Sequence, residues 1–140
     1  MDCPACKNAM ITLELADVEI DHCVHCGGIW LDAGELELLM DAREKAERLL
    51  GSFREDKTAV EQSRKCPICD KKMAKVIVGP SEPVLRIDQC RRGHGLWFDR
   101  DELKEVLRRG QLDEESRIQR LLADMFGQDI DKMGREPQPQ

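Results

Sequence analysis

The residues of this chain best suited to chemistry are its cysteines, of which there are seven among 140 residues. Four of them form two Cys-x-x-Cys pairs that are separated by 16 residues, namely Cys3, Cys6, Cys23 and Cys26. Two such pairs can place four thiolates around one ion in a tetrahedron, so we predict a zinc site here. Soft thiolates also suit iron, and a four-thiolate iron site is the alternative for this set.

The other three cysteines lack a fourth cysteine partner. Alignment of the two halves of the chain puts Gly93 opposite Cys26, and His94 follows one residue later. An imidazole is longer than a thiol side chain and is a common zinc ligand, so it can absorb this displacement. We therefore predict a second zinc site of three thiolates and one imidazole, made by Cys66, Cys69, Cys90 and His94.

Catalysis at these sites is not expected. A thioredoxin-like Cys-x-x-Cys motif opens a helix in a βαβ unit, whereas both Cys-Pro-x-Cys turns here precede hairpin patterns. Four protein ligands also leave no open position for water or substrate, so we predict a structural metal and a chain that is not an enzyme. His22 and His25 correspond to Gln89 and Arg92 in the second half, so we expect both histidines to lie outside the metal sites.

The two ligand sets belong to a unit that occurs twice in the chain. Residues 3–6 correspond to residues 66–69 with an offset of 63, and residues 28–32 correspond to residues 95–99 with an offset of 67. Alternating apolar residues between the Cys pairs predict a β-hairpin in each copy, with a longer loop in the second. A tryptophan near the end of each copy, Trp30 or Trp97, is expected to pack the following helix onto the hairpin.

The first copy resembles the transcription-factor-IIB-type zinc-ribbon family. The residues that carry the resemblance are Cys3-Pro4-x-Cys6-x3-Met10 and Asp21-x-Cys23-x-x-Cys26-Gly27-Gly28-Ile29-Trp30-Leu31-Asp32-x-Gly34-Glu35-Leu36. The second copy, about residues 65–103, is more divergent, since it has Gly93-His94 in place of Cys-Gly and Asp101 in place of a glycine. The resemblance implies a zinc ribbon and, by analogy of fold alone, an association with transcription.

The elements that position these ligands follow from the repeat. In each copy an Asp lies three residues before a Glu, a variant of the capping box, and a helical pattern follows. We predict a small metal-stabilised α+β fold of two tandem zinc ribbons, each a β-hairpin with zinc knuckles followed by an α-helix. The predicted segments are ribbon one with its helix at 1–50, a polar linker at 51–65, ribbon two with a short helix at 66–110, a C-terminal helix at 111–127 and a disordered tail at 128–140.

Charge differs sharply between the two ribbons. Residues 1–32 hold one lysine against six acids, a net charge of −5, whereas residues 66–99 hold six basic residues against four acids, a net charge of +2. The first ribbon should repel phosphate backbones, and a four-thiolate zinc site adds to its negative charge. The second ribbon offers a candidate basic face for nucleic acid or a partner, formed by Lys71, Lys72, Lys75, Arg91 and Arg92.

Three functions fit these features. The leading hypothesis is a protein-interaction adaptor, whose apolar helix stripes pack within the chain, dock a protein partner or form a homodimer. The alternatives are a transcription regulator that binds nucleic acid through ribbon two, and a thiol-based sensor of zinc or oxidants. Because there is no secretory signal and no apolar run of about 18 residues, we expect a cytoplasmic protein without membrane contact.

Overall fold

The computed structural model describes residues 1–39, 43–58, 64–79, 83–110, 118 and 120–124. These residues contain an antiparallel sheet of seven strands in the order β1-β2-β3-β7-β6-β5-β4. The strands are β1 (Ile11–Leu15), β2 (Val18–His22), β3 (Ile29–Asp32), β4 (Arg54–Glu55), β5 (Ala74–Ile77), β6 (Arg86–Gln89) and β7 (Gly95–Phe98). The helices are α1 (Glu35–Leu39), α2 (Arg43–Gly51) and α3 (Glu102–Gly110), and residues 118 and 120–124 are also helical. The predicted α+β class with two tandem ribbons is confirmed.

Each ribbon has three strands, one more than the predicted hairpin. In ribbon one, β1 and β2 are joined by Ala16 and Asp17, whose φ angles of 53° and 67° suit a tight hairpin turn of the I′ type. In ribbon two, β5 and β6 are joined by a longer loop that includes Gly79, and residues 80–82 of this loop lie outside the described part. The third strands, β3 and β7, follow the second ligand-bearing turn, or zinc knuckle, of each ribbon, which is formed by residues 23–26 in ribbon one and residues 90–94 in ribbon two.

The two ribbons are joined by the pairing of β3 with β7. Trp30 lies opposite Trp97, and the pairs on either side are Ile29 with Phe98 and Leu31 with Leu96. Because Trp30 and Trp97 are also equivalent positions of the repeat, this register relates the two copies by an approximate two-fold axis through the tryptophan pair. The ribbons therefore form one continuous sheet.

Two glycines allow this close approach. A Cβ on Gly28 would lie 2.2 Å from Cζ2 of Trp97, and a Cβ on Gly95 would lie 2.7 Å from Cζ2 of Trp30 and 2.2 Å from the carbonyl oxygen of Leu31. Each tryptophan ring thus covers the glycine of the opposite ribbon. The sequence predicted that the tryptophans pack a helix onto its own ribbon, but they pack one ribbon onto the other.

The two faces of the sheet carry different clusters, because neighbouring side chains of a strand point to opposite faces. Ile29 and Leu31 face an apolar core that both ribbons share, whereas Trp30 faces the metal ligands. The core is closed by the helices, whose contributions include Leu36, Leu39, Ala46, Leu103, Val106, Leu107, Ile118 and Leu122. A segment of about 40 residues rarely closes a core alone, and here two segments close one together.

Each ribbon is tied to the helix after it by the same pair of hydrogen bonds. The N–H of Asp32 donates to Glu35 Oε1 at 2.7 Å, and the N–H of Asp99 donates to Glu102 Oε1 at 2.8 Å, which is the glutamate half of the predicted capping box. The Asp carboxylates in turn accept from the indole N–H of Trp30 and Trp97, at 2.8 and 2.9 Å. The helix starts are therefore fixed to the tryptophan pair.

The structure differs from the expected polar linker at 51–65. Arg54–Glu55 forms β4, which pairs with β5 and ends the sheet. Two residues are too few to show strand alternation in a sequence. Of the predicted helix at 111–127, the described residues are helical, while its other residues and the tail at 128–140 lie outside the described part. No described helix is long and apolar enough to cross a membrane.

The glycines under the tryptophans give a test of the ribbon junction. Gly28→Ala and Gly95→Ala should each lower the free energy of unfolding of the zinc-loaded protein by about 1–3 kcal/mol, the usual cost of extra atoms in a packed interior. Chemical denaturation followed by tryptophan fluorescence measures this change. Gly51→Ala is the matched control, because a Cβ there meets no atom within 4 Å. Equal losses in all three variants would contradict the proposed packing.

Glu102 gives a second test, through pH. Burial, reinforced by the nearby Asp99 and Asp88 carboxylates, raises the pKa of Glu102 from 4.5 to about 7. The folded protein therefore holds this proton more tightly than the unfolded chain, and ionisation of Glu102 lowers the free energy of unfolding as pH rises from about 4.5 to 7. The free energy of unfolding of Glu102→Gln, compared with that of the wild type at the same pH, should therefore rise by about 1–3 kcal/mol as pH increases from 5 to 8. Denaturation at fixed free zinc measures the difference, and a constant difference across this range would contradict the assignment.

Candidate metal centres

The first ligand set is gathered by two turns, one before β1 and one between β2 and β3. The Sγ atoms of Cys3, Cys6, Cys23 and Cys26 all lie within 4.8 Å of one another. Cys3 and Cys26 are 3.5 Å apart at Sγ, and Cys6 and Cys23 are 3.4 Å apart. Thiolates about 2.3 Å from a zinc ion lie about 3.8 Å apart in a tetrahedron, so these spacings fit one ion.

Hydrogen bonds and charge both favour a cation in this set. The N–H groups of Ala5 and Cys6 donate to Cys3 Sγ at 3.3 and 3.4 Å, and Asn8 Nδ2 donates to Cys6 Sγ at 3.2 Å. Contact with Cys26 lowers the pKa of Cys3 to about 5, and the same contact raises the pKa of Cys26, because two adjacent sulfurs do not readily ionise together. A divalent cation removes this conflict and allows all four thiolates to form.

The second ligand set contains three sulfurs and one ring nitrogen. The Sγ atoms of Cys69 and Cys90 are 3.8 Å apart. Nδ1 of His94 lies 3.4 Å from Cys90 Sγ and 3.8 Å from Cys66 Sγ, so Nδ1 is the nitrogen that faces the site. These four ligand atoms also lie within 4.8 Å of one another. The spacing again fits a tetrahedral ion, with imidazole in place of the fourth thiolate.

A tighter turn brings His94 to the place that Cys26 holds in ribbon one. In ribbon one the N–H of Gly27 donates to the carbonyl of Cys23, four residues back, at 2.8 Å. In ribbon two the N–H of Gly93 donates to the carbonyl of Cys90, only three residues back, at 3.0 Å. Because the turn is one residue shorter, the residue after Gly93, which is His94, supplies the fourth ligand of the site.

Both ligand sets are therefore complete, and the chain binds two zinc ions, one in each ribbon. Each ion would have four protein ligands, which is the arrangement of structural rather than catalytic zinc. Bound zinc contributes folding free energy, since a preformed site does not exist in the unfolded chain. The two sites and the tryptophan pair share one buried cluster, which includes Cys3, Cys23, Trp30, Cys66, Met73, Cys90 and Trp97.

The two remaining histidines belong to neither described ligand set. His22 is fully buried, and its Nδ1–H donates to the carbonyl of Gly28 at 3.0 Å. This bond links β2 to Gly28, the glycine that the Trp97 ring covers. His25 is exposed on the second knuckle of ribbon one.

Arg100 lies against the first zinc site although it belongs to the second copy. A Cβ placed on Gly27 would be 2.7 Å from the NH1 atom of Arg100, so its side chain crosses the backbone next to Cys26. Four thiolates and one zinc ion carry a net charge of −2, and the guanidinium offsets part of it. The equivalent position beside the less charged second site is Ala33. Sequence reasoning missed Arg100, because nothing in its own copy points to the other ribbon.

The predicted basic face is only partly available. Lys75 is 10% exposed, and its Nζ lies 3.1 Å from the fully buried Asp88 carboxylate. Arg91 donates from both terminal nitrogens to Glu55, at 3.0 and 2.7 Å. Lys71, Lys72, Arg91 and Arg92 are exposed. Their contact with nucleic acid or a partner stays a prediction.

Replacement of the imidazole ligand tests the second site. His94→Ala removes one of four ligands, so zinc affinity at this site should fall by at least about 100-fold, since even outer-shell partners of a ligand are worth about 10–100-fold. His94→Cys restores four ligands and should retain two zinc ions. His25→Ala is the matched control. Native mass spectrometry with chelator competition measures the count, and two tightly bound ions in His94→Ala would contradict the ligand assignment.

Comparison with known proteins agrees with this geometry. The family described as "Transcription factor zinc-finger", a zinc ribbon of the transcription-factor-IIB type, matches residues 2–42. Neither a comparison with curated proteins nor one with solved structures finds a match. The matched segment contains the whole first ligand set, and the second set has the same arrangement of knuckles and strands. Residues 2–42 therefore match the zinc ribbons of the transcription-factor zinc-finger family, and the second ligand set is consistent with a divergent second copy of that ribbon.

Proposed function

We propose that this chain is a non-catalytic adaptor that binds another protein through a zinc-stabilised sheet. The observation that carries the proposal is that both zinc ligand sets are complete and lie in one continuous sheet. Four protein ligands leave no coordination position for a substrate, which supports a structural role for both ions. A sheet held by two ions is a rigid surface, and rigid surfaces bind partners with little loss of conformational freedom.

The helices are not the main contact surface in this proposal. The apolar stripes that were candidates for docking face the shared core, where Leu39, Ala46, Ile118 and Leu122 are buried. Leu38 and Leu121 are exposed large apolar side chains on the described helices, but single exposed leucines are common on protein surfaces. The partner is therefore expected on the ribbons rather than on the helices.

Nucleic acid is the weaker candidate partner. Two of the five predicted basic contacts, Lys75 and Arg91, are engaged in ion pairs within ribbon two. Ribbon one carries a net charge of −5 before its zinc site is counted. The family description names transcription, so the first partners to test are protein components of the transcription apparatus rather than its nucleic acid.

A titration with nucleic acid distinguishes these candidates. Labelled duplex DNA and single-stranded RNA should bind the zinc-loaded chain no more tightly than about 10⁻⁴ M even at about 50 mM salt, whereas non-specific nucleic-acid binders reach about 10⁻⁴–10⁻⁶ M at the higher physiological salt. Fluorescence anisotropy measures this. Tight binding that weakens steeply at about 200 mM salt, and that is lost in Lys71→Glu with Lys72→Glu, would show a phosphate-binding surface instead.

The protein partner is tested by cross-linking and affinity capture from the source organism. Zinc-loaded protein should retain a defined protein, and chelated protein should not, because the sheet depends on its metal. Retention of nucleic acid alone, or of the same proteins before and after chelation, would contradict the adaptor function.

A further inference from the structure

The two outer edges of the sheet are not alike. In ribbon two, the outer strand β5 is covered by β4, which comes from the segment between the copies. In ribbon one, the equivalent outer strand is β1, and no described strand pairs with its outer edge. Within the described part of the chain, the repeat therefore shows the same kind of edge twice, once with a strand added and once without.

The covered edge shows how a strand is held there. The residues Arg54 and Glu55 of β4 lie opposite Ile77 and Val76, and the next N–H, from Asp56, donates to the carbonyl of Lys75 at 2.8 Å. Side chains add to this ladder, since the Asp56 carboxylate lies 2.7 Å from Arg86 Nε, and Glu55 pairs with Arg91. Phe53, just before β4, packs against the apolar core. The added segment is thus extended and reads Phe53-Arg54-Glu55-Asp56, an apolar residue and a basic residue followed by two acids.

The open edge offers the same backbone ladder. The two-residue turn makes Leu15 and Val18 a hydrogen-bonded pair, so by alternation the peptide groups of Thr12 and Glu14 point away from β2. Thr12 is the equivalent of Lys75, whose carbonyl accepts from the added strand in ribbon two. Ile11, Thr12 and Glu14 are exposed, with Ile11 39% accessible.

Charge at the open edge is opposite to that at the covered one. Glu14 lies directly opposite Glu19, a like-charge pair that costs stability in a sheet. Their equivalents in ribbon two are Ile77 and Arg86, and Arg86 binds the acid of the added strand. Lys75 is likewise replaced by Thr12, whose hydroxyl donates to Asp21 at 3.1 Å. An occupant of this edge must therefore bring positive charge.

We propose that β1 is the docking edge of the adaptor, and that a partner protein adds an extended basic strand to it. This inference rests on the proposed function and names the surface and the chemistry of the partner. The mode is β-augmentation, in which main-chain hydrogen bonds give affinity and side chains give specificity. A second copy of this chain does not fit as the occupant, because two β1 strands would bring acidic edges together.

A peptide with the sequence of the β4 segment tests the edge directly. The probe is a peptide of residues 51–58 that carries Glu55→Lys and Asp56→Lys, and the matched control is the same peptide with its own acids. Titrated into the zinc-loaded, ¹⁵N-labelled full chain, the basic peptide should shift the NMR signals of Ile11–Leu15 and slow the amide exchange of Thr12 and Glu14. We expect it to bind at least about tenfold more tightly than the control, because charge complementarity sets the choice of partner.

Two variants separate the backbone from the charge. Glu14→Pro removes the carboxylate together with an outward N–H that the sheet itself does not use, and Glu14→Gln removes the charge alone. Two zinc ions should stay bound in both, and peptide affinity should be at least about tenfold lower in Glu14→Pro than in Glu14→Gln. Glu14→Lys with Glu19→Lys should reverse the preference between the two peptides. Signals that shift away from β1, equal affinity for both peptides, or dimers formed through β1 would each overturn the proposal.

Affinity capture separates this inference from the function on which it rests. A partner retained by the wild type and lost by Glu14→Pro supports both. Equal retention by both proteins overturns the docking edge and leaves the adaptor function standing. A wild type that retains no partner overturns the adaptor function itself.

Discussion

The pairing of β3 with β7 joins two segments that are far apart in the sequence, and most of the remaining structure depends on this contact. It places Trp30 against Gly95 and Trp97 against Gly28, where only glycine leaves room for an indole ring. It also puts both apolar faces on one side of the sheet, so that the helices of both copies close a single core. Without this pairing each ribbon would have its zinc ion and a half-covered sheet.

Zinc and the shared core act on different parts of the same sheet. The ions fix the turns that precede and separate the strands, and the tryptophan pair lies between the two ligand sets in one buried cluster. The copies have diverged around this common frame. Arg100 lies next to the four-thiolate site, whereas the equivalent position beside the site with His94 is Ala33. The acidic edge of ribbon one likewise contrasts with the edge of ribbon two that β4 covers. Divergence of this kind leaves the fold intact and makes one surface different from its copy.

The ligands were readable from the sequence because their chemistry is local. Two residues between cysteines fix the geometry of each turn, and the repeat places His94 one residue beyond the position of the missing cysteine. The helix starts were readable for the same reason, since the bond from Asp32 to Glu35 spans three residues. The junction of the ribbons could not be predicted, because Gly28 and Trp97 are distant in the chain and no local sequence pattern indicates that they are in contact. Likewise β4 is two residues long, and the contacts that hold this polar segment on the sheet, such as the ion pairs of Glu55 with Arg91 and of Asp56 with Arg86, join residues that are distant in the sequence.

The most direct test of this account is ¹⁵N relaxation of the zinc-loaded chain, combined with nuclear Overhauser effects between backbone protons of β3 and β7. The structure predicts one rotational correlation time for both ribbons and cross-strand contacts that run from Ile29 with Phe98 to Asp32 with Gly95. Two correlation times, with no contact between these strands, would show ribbons that tumble independently and would contradict the single sheet.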